Sequence, residues 1–173
     1  MNQIILVRHC EKDFDPKSTH IESDPVLTEK GVTQAQQVKE FLKDFNYEAI
    51  FSSIFIRGEQ TAQILNEEKK VKYVRSMAFN EYFVRPLGGN VETTTMGVTR
   101  TMSKLYGIYD DYDSIVLVSH ASIGRDILMT ILNMKVEEAK RYNNNFGETI
   151  VLRFDRDQGD ENWTIKSHFV PYQ

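Results

Sequence analysis

"QIILVRHCEK", residues 3–12, opens on a continuous apolar, largely β-branched run, "QIILV" (3–7), that stops abruptly at an arginine and a histidine. Alternation appears in a strand only where one face meets water, so a continuous run of this kind is the pattern of a strand buried on both faces. A second run, "SIVLVSHASIGRD" over 114–126, also ends in a histidine and then passes into helical spacing. Two doubly buried strands imply a parallel sheet with helices on both sides. If both belong to that sheet, His9 and His120 emerge at the same edge of it.

The rest of the chain alternates in the same sense. "TEKGVTQAQQVKEFLKDF" (28–45) places Val38, Phe41, Leu42 and Phe45 at helical spacing behind Thr28 as N-cap. "YEAIFSS" (47–53) reads as a short strand, and "RGEQTAQILNEEKK" (57–70) as a helix turning Ala62, Ile64 and Leu65 inward. "VKYVRSM" (71–77) is a further strand, "AFNEYFVRPLGGN" (78–90) a loop, and 92–107 a helix. A strand over 114–119 and a helix over 122–133 follow. Strands near 148–154 and 163–169, joined by "DRDQGDEN" (155–162), form an antiparallel hairpin. The expected fold is α/β: a three-layer sandwich with a mostly parallel central sheet, helices on both faces and a C-terminal antiparallel hairpin. Residues 1–173 are expected to form a single domain.

Composition narrows the function. The net charge of −4 marks neither a nucleic-acid nor an anionic-membrane partner, so any anion-binding surface has to be local. The single cysteine, Cys10, excludes an internal disulfide and a cysteine zinc cluster. No signal-type leader and no run long enough to span a bilayer is visible, and a cytoplasmic setting is expected.

In open α/β sheets, ligands bind beyond the carboxyl ends of the strands. The first strand delivers Arg8 and His9 there. The second delivers Ser52 and Ser53, with Arg57 opening the next helix. The third is followed by Glu81, and the fourth delivers Ser119 and His120. Two arginines, two histidines and a carboxylate suit a phosphate. Guanidinium forks match phosphate oxygens, a neutral imidazole can attack phosphorus, and a carboxylic acid can protonate a departing alkoxide.

These residues sit in a pattern that resembles the histidine phosphatase superfamily, the phosphoglycerate mutase-like group. "LVRHCEK" is similar to its strand-plus-RHG signature, "DPVLTEKGVTQAQQV" to its L-T-x-x-G-x-x-Q-A segment, "IFSSIFIRGEQTAQIL" to S-S-x-x-x-R-x-x-Q-T-A, and "VLVSHASIGRDIL" to V-S-H-G-x-x-x-R. The resemblance implies that His9 is a nucleophile that becomes phosphorylated. It implies that Arg8, Arg57 and His120 hold the phosphoryl oxygens, that Glu81 is the proton donor, and that no cofactor is used. Cys10 and Ala121 stand where the family has glycines, and "RPLGGNVE" (85–92) replaces its glycine–tryptophan–glutamate–glycine stretch.

Other readings exist for the same residues. "HASIG" mimics a nucleophile elbow, with Ser122 as nucleophile and Asp155 or Asp157 and His168 as partners, but it lacks the first glycine and leaves Arg8, His9 and Arg57 idle. A metal hydrolase built on His9, His120 and Glu81 would place arginines against a divalent cation. Lys12, Arg85 and Arg125 read as rim or surface charges and Cys10 as a packing residue. The function expected is a phosphatase acting on a small-molecule phosphomonoester or a phosphoprotein, with phosphoglycerate mutase-type transfer as the alternative. Loop 13–27 and segment 82–100 are expected to frame its entrance.

Overall fold

The computed structural model describes residues 1–13, 24–82, 92–155 and 162–172. In chain order the elements are β1 (Gln3–Arg8), α1 (Glu29–Leu42), β2 (Ala49–Ser52), α2 (Ile56–Leu65), β3 (Lys72–Arg75), a 3-10 turn (Met77–Phe79), α3 (Thr94–Gly107), β4 (Ser114–Ser119), α4 (Ala121–Leu132), α5 (Val136–Ala139), β5 (Thr149–Asp155) and β6 (Asn162–Phe169). The strands form one six-stranded sheet in the order β3-β2-β4-β1-β5-β6. β1 to β4 are mutually parallel, whereas β5 runs antiparallel to β1 and β6 antiparallel to β5. The mostly parallel α/β sandwich and its terminal hairpin are therefore as expected. Residues 156–161, in the hairpin turn, lie outside the described residues.

Each of Ile4, Ile5, Leu6 and Val7 is buried, because β1 has a covered face on either side. Ile5 and Val7 join Val116 and Val118 against Val38 and Leu42 of α1 and Ala62 and Leu65 of α2. Ile4 and Leu6 join Ile115 and Leu117 against Leu105 of α3 and Ile123, Ile127 and Leu128 of α4. Full burial of such a side chain stabilises by about 1.5–3 kcal/mol, so an interrupting polar residue anywhere in the run would cost heavily. β1 and β4 pair from Gln3 opposite Ser114 to Arg8 opposite Ser119. The His9 N–H then donates to the Ser119 carbonyl at 2.9 Å, so the two histidines leave the sheet side by side.

α1 pins the chain just past His9. The Thr28 hydroxyl accepts from the Gly31 N–H at 2.9 Å and donates to Glu11 Oε1 at 2.9 Å. Gln34 Oε1 accepts from the Glu11 N–H, also at 2.9 Å. Gly31 itself lets the helix lie against that backbone: a Cβ there would stand 1.9 Å from the Glu11 carbonyl oxygen. The T-x-x-G-x-x-Q spacing is thus a clamp on Glu11.

Some elements differ from the sequence reading. α1 ends at Leu42, so Phe45 packs from beyond the helix. α3 begins at Thr94, where the Thr93 hydroxyl accepts from the Met96 N–H. The 3-10 turn and α5 are only three and four residues long, too short to carry a hydrophobic period. Among the described residues no helix is long and apolar enough to cross a membrane.

Gly31→Ala tests the clamp. Alanine raises helix propensity by about 1 kcal/mol, yet here the methyl group meets backbone that cannot swing aside. The expected result is a net loss of roughly 1–3 kcal/mol by urea denaturation; an unchanged or raised midpoint would show that α1 and Glu11 are not in forced contact.

Candidate active site

His9 is buried at the end of β1, with Nδ1 2.9 Å from the Cys10 carbonyl oxygen. A carbonyl oxygen only accepts, so Nδ1 carries the proton, and in the neutral ring Nε2 keeps its lone pair. Burial first, then the charges of Arg57 and Arg8, hold the His9 pKa well below the usual imidazole range despite that hydrogen bond. The ring is therefore neutral, with a basic nitrogen available.

His120 is the N-cap residue of α4, and its ring centroid lies 5.0 Å from that of His9. Its Nδ1 stands 3.5 Å from an Arg57 terminal nitrogen, the outer limit of a hydrogen bond. Guanidinium only donates, so the His120 proton sits on Nε2, a buried N–H with no partner among the described residues. Burial, the neighbouring His9 and the two arginines keep this ring neutral as well.

Arg57 is 3 % exposed in the first turn of α2, where a cation opposes the helix dipole. Asp24 answers that cost. Its Oδ2 accepts from the Ile56 N–H at 2.7 Å, capping α2, and its Oδ1 accepts from Arg57 at 3.3 Å. The Phe55 ring lies 4.4 Å from the Arg57 guanidinium carbon. Arg8 donates to the Asn144 carbonyl and spreads over the Phe146 ring at 4.5 Å. In both arginines the Nε–H is buried without a partner among the described residues. Burial lowers both pKa values, and Glu81 counters it in each case.

Glu81 Oε2 accepts from the Ser122 N–H at 3.1 Å, and Oε1 accepts from the Tyr82 N–H at 3.1 Å. Ser122 lies in the first turn of α4, so the carboxylate is held at the positive end of a helix and near both arginines. Arg8, His9, Arg57, Glu81 and His120 thus gather on one edge of the sheet. The arrangement brings together an imidazole nitrogen with a free lone pair, three buried N–H groups without partners among the described residues, two cations and a carboxyl group.

The remaining candidates fall elsewhere. Arg125 Nε donates to the Ala121 carbonyl of its own helix at 3.2 Å. Cys10 packs with Leu27 and Ala35, and burial pushes its thiol up to about 12, which makes it a poor nucleophile at neutral pH. The partners that Ser122 would need are engaged elsewhere: His168 meets Glu148 at 2.9 Å and Asp155 meets Lys166 at 2.6 Å. Arg85, Asp157 and segments 14–23 and 83–91, most of the expected entrance, lie outside the described residues.

Two contributions were not read from the sequence. Asp24 lies in a stretch that reads only as polar loop. The segment Asn143–Phe146 reaches the site because β5 is antiparallel to β1, so the chain enters β5 from the site edge. Asn143 Nδ2 donates to the His120 and Ala121 carbonyls at 2.8 and 2.9 Å, and the Phe146 ring is 5.6 Å from His9. The signal was present in "NNNFGE", a turn-rich segment just before an expected antiparallel strand. The segment precedes a strand rather than leaving one, so strand ends alone do not point to it.

The structure is thus an α/β protein with a mostly parallel sheet and an arginine–histidine cluster at its strand ends. The model of the histidine phosphatase superfamily (branch 1) matches residues 4–95, and the chain belongs to that superfamily. It is 33% identical over 82 residues to an uncharacterized phosphatase, PhoE, of Bacillus subtilis (strain 168), covering 47% of this chain and 42% of that protein. It is also 33% identical over 92 residues to a 2,3-bisphosphoglycerate-dependent phosphoglycerate mutase of Nitrobacter hamburgensis, covering 50% of this chain and 44% of the mutase. The matched stretches span less than half the length of these relatives. Among solved structures, a mycobacterial glucosyl-3-phosphoglycerate phosphatase superposes with a TM-score of 0.80 at 15% identity, covering 99% of this chain and 100% of that one, which shows a common fold.

The neutral His9 tautomer has a direct check. Long-range 1H–15N spectra are expected to show a protonated Nδ1 and a bare Nε2, with a titration midpoint below the ordinary 6.5. In the unfolded chain this ring protonates near its ordinary value. Folding stability should therefore fall as pH drops below about 6.5, by up to roughly 1.4 kcal/mol per pH unit from this residue. A His9 midpoint at or above 6.5, or an Nε2–H tautomer, would contradict the assignment.

Proposed function

We propose that the chain is a phosphatase that hydrolyses phosphomonoesters through a phosphohistidine on His9, with residues 1–173 acting as one domain. The observation that carries this reading is the Nδ1 hydrogen bond to the Cys10 carbonyl, which leaves the Nε2 lone pair free on a neutral, buried ring beside His120. In the first step Nε2 attacks phosphorus and the ester oxygen departs, taking a proton from Glu81. In the second, water attacks the phosphohistidine, Glu81 takes a proton from it, and inorganic phosphate leaves with His9 restored. Arg8, Arg57 and His120 hold the three equatorial oxygens, where charge gathers in transfer. The route draws on no metal or cofactor.

The Bacillus relative, called a phosphatase, supports hydrolysis. The Nitrobacter relative, called a mutase, supports the second reading, in which a hydroxyl of the substrate takes the phosphoryl group in place of water. Small-molecule phosphomonoesters and phosphoproteins both present the dianion that this cradle fits.

Phosphate release across a panel of alkyl and aryl phosphates, with a chelator present, tests the proposal. Wild type and Ser122→Ala should release phosphate, and His9→Ala should not. Arg57→Ala should lose about two to three decades, the worth of one placed electrostatic donor. Glu81→Gln should slow alkyl phosphates by roughly two to four decades while sparing nitrophenyl phosphate, whose leaving group needs no proton. Turnover surviving in His9→Ala, or abolished by the chelator, would overturn the reading; phosphoryl transfer without phosphate release would favour the mutase.

A further inference from the structure

Glu148, immediately before β5, is 1 % exposed. Its oxygens accept five hydrogen bonds. Oε1 takes the Asn143 N–H at 2.6 Å and His168 Nε2 at 2.9 Å. Oε2 takes the Asn144 and Asn145 N–H groups, each at 2.9 Å, and the Asn145 side-chain amide at 3.0 Å. Three successive backbone N–H groups therefore turn onto one carboxylate, a concave anion nest that the chain fills from within. Asn143 holds it open with a left-handed φ of 60°.

A turn of this length can be closed without a charge. Burying a carboxylate is costly unless every lone pair is answered. Burial alone pushes the Glu148 carboxyl up, but the hydrogen bonds from Asn145, Asn143 and His168 outweigh it and hold the group ionised below the usual range. What the charge secures is visible one bond further on. Asn143, oriented by Glu148, donates to the His120 carbonyl at 2.8 Å. Asn144 offers its carbonyl to the Arg8 guanidinium. Phe146 lies under Arg8 at 4.5 Å and beside the His9 ring at 5.6 Å. The Gly147 N–H closes the loop onto the Arg8 carbonyl at 3.2 Å.

We infer that Glu148 is a positioning residue for the phosphoryl cradle: its buried carboxylate locks Asn143–Phe146 and thereby sets Arg8, His120 and His9 in place. The inference rests on the phosphatase reading and adds to it a residue outside the matched region 4–95. Glu148 touches none of the reacting groups by its side chain, so its effect runs through the loop.

A double-mutant cycle with Arg8 separates positioning from mere support of the fold. Glu148→Gln keeps the shape but puts an amide among donors. It should lower kcat/KM about 10–100-fold, the scale of a misplacement near 1 Å. In an Arg8→Ala background the same change should cost far less, because groups acting as a unit are not additive. Near-UV circular dichroism of each variant at the assay temperature establishes that it is folded. Asn145→Ala, which removes only one side-chain donor, serves the same cycle if Glu148→Gln does not fold, with a smaller loss that again shrinks without Arg8. Losses that multiply to within about twofold in folded variants would overturn the role and leave the phosphatase reading standing. A wild-type chain inert on every phosphomonoester would remove both.

Discussion

A slip of one residue between β1 and β4 would carry His9 about 3.3 Å along the sheet from His120 and turn the alternating side chains of one strand toward the wrong layer. The pairing of Gln3 with Ser114 through Arg8 with Ser119 prevents it, because Ile5, Val7, Val116 and Val118 must meet one pair of helices while Ile4, Leu6, Ile115 and Leu117 meet the other. The two-faced core thus fixes a distance at the site. With the register set, the histidine rings stand 5.0 Å apart.

The second constraint is electrostatic. A chain of net charge −4 places two buried or half-buried arginines next to two buried histidines. Cations gathered this way repel, and burial penalises each, so the fold sets carboxylates beside them. Asp24 holds Arg57 and caps its helix, Glu81 sits at the start of α4 near both arginines, and Glu148 organises the loop that receives Arg8. The two histidines stay neutral in this field. In the proposed reaction this neutrality lets His9 attack and His120 donate, and the different partners of their Nδ1 atoms distinguish the two.

The sequence disclosed most of this site because its residues stand at the ends of runs that only a doubly buried strand produces. Arg8 with His9 and Ser119 with His120 could be placed on one edge without coordinates. The T-x-x-G-x-x-Q spacing was visible too, but not its purpose, since nothing local says that Gly31 and Gln34 press on Glu11. Asp24 was out of reach for a related reason: it acts on a backbone group far along the chain, that of Ile56, and the contact leaves no period or spacing around it. For Asn143 the turn-rich "NNNFGE" marked a turn but not its contact with the His120 carbonyl. α5 and the 3-10 turn are shorter than any repeat that could reveal them.

The proposed chemistry turns on one atom, Nε2 of His9. Rapid quenching of the wild-type protein with a phosphomonoester, followed by proteolysis under alkaline conditions and mass spectrometry with isomer-resolved phosphohistidine standards, tests it most directly. Phosphate is expected on the peptide carrying His9, at Nε2, because Nδ1 is committed to the Cys10 carbonyl. Phosphate at Nδ1, on His120 or on Ser122 would contradict it.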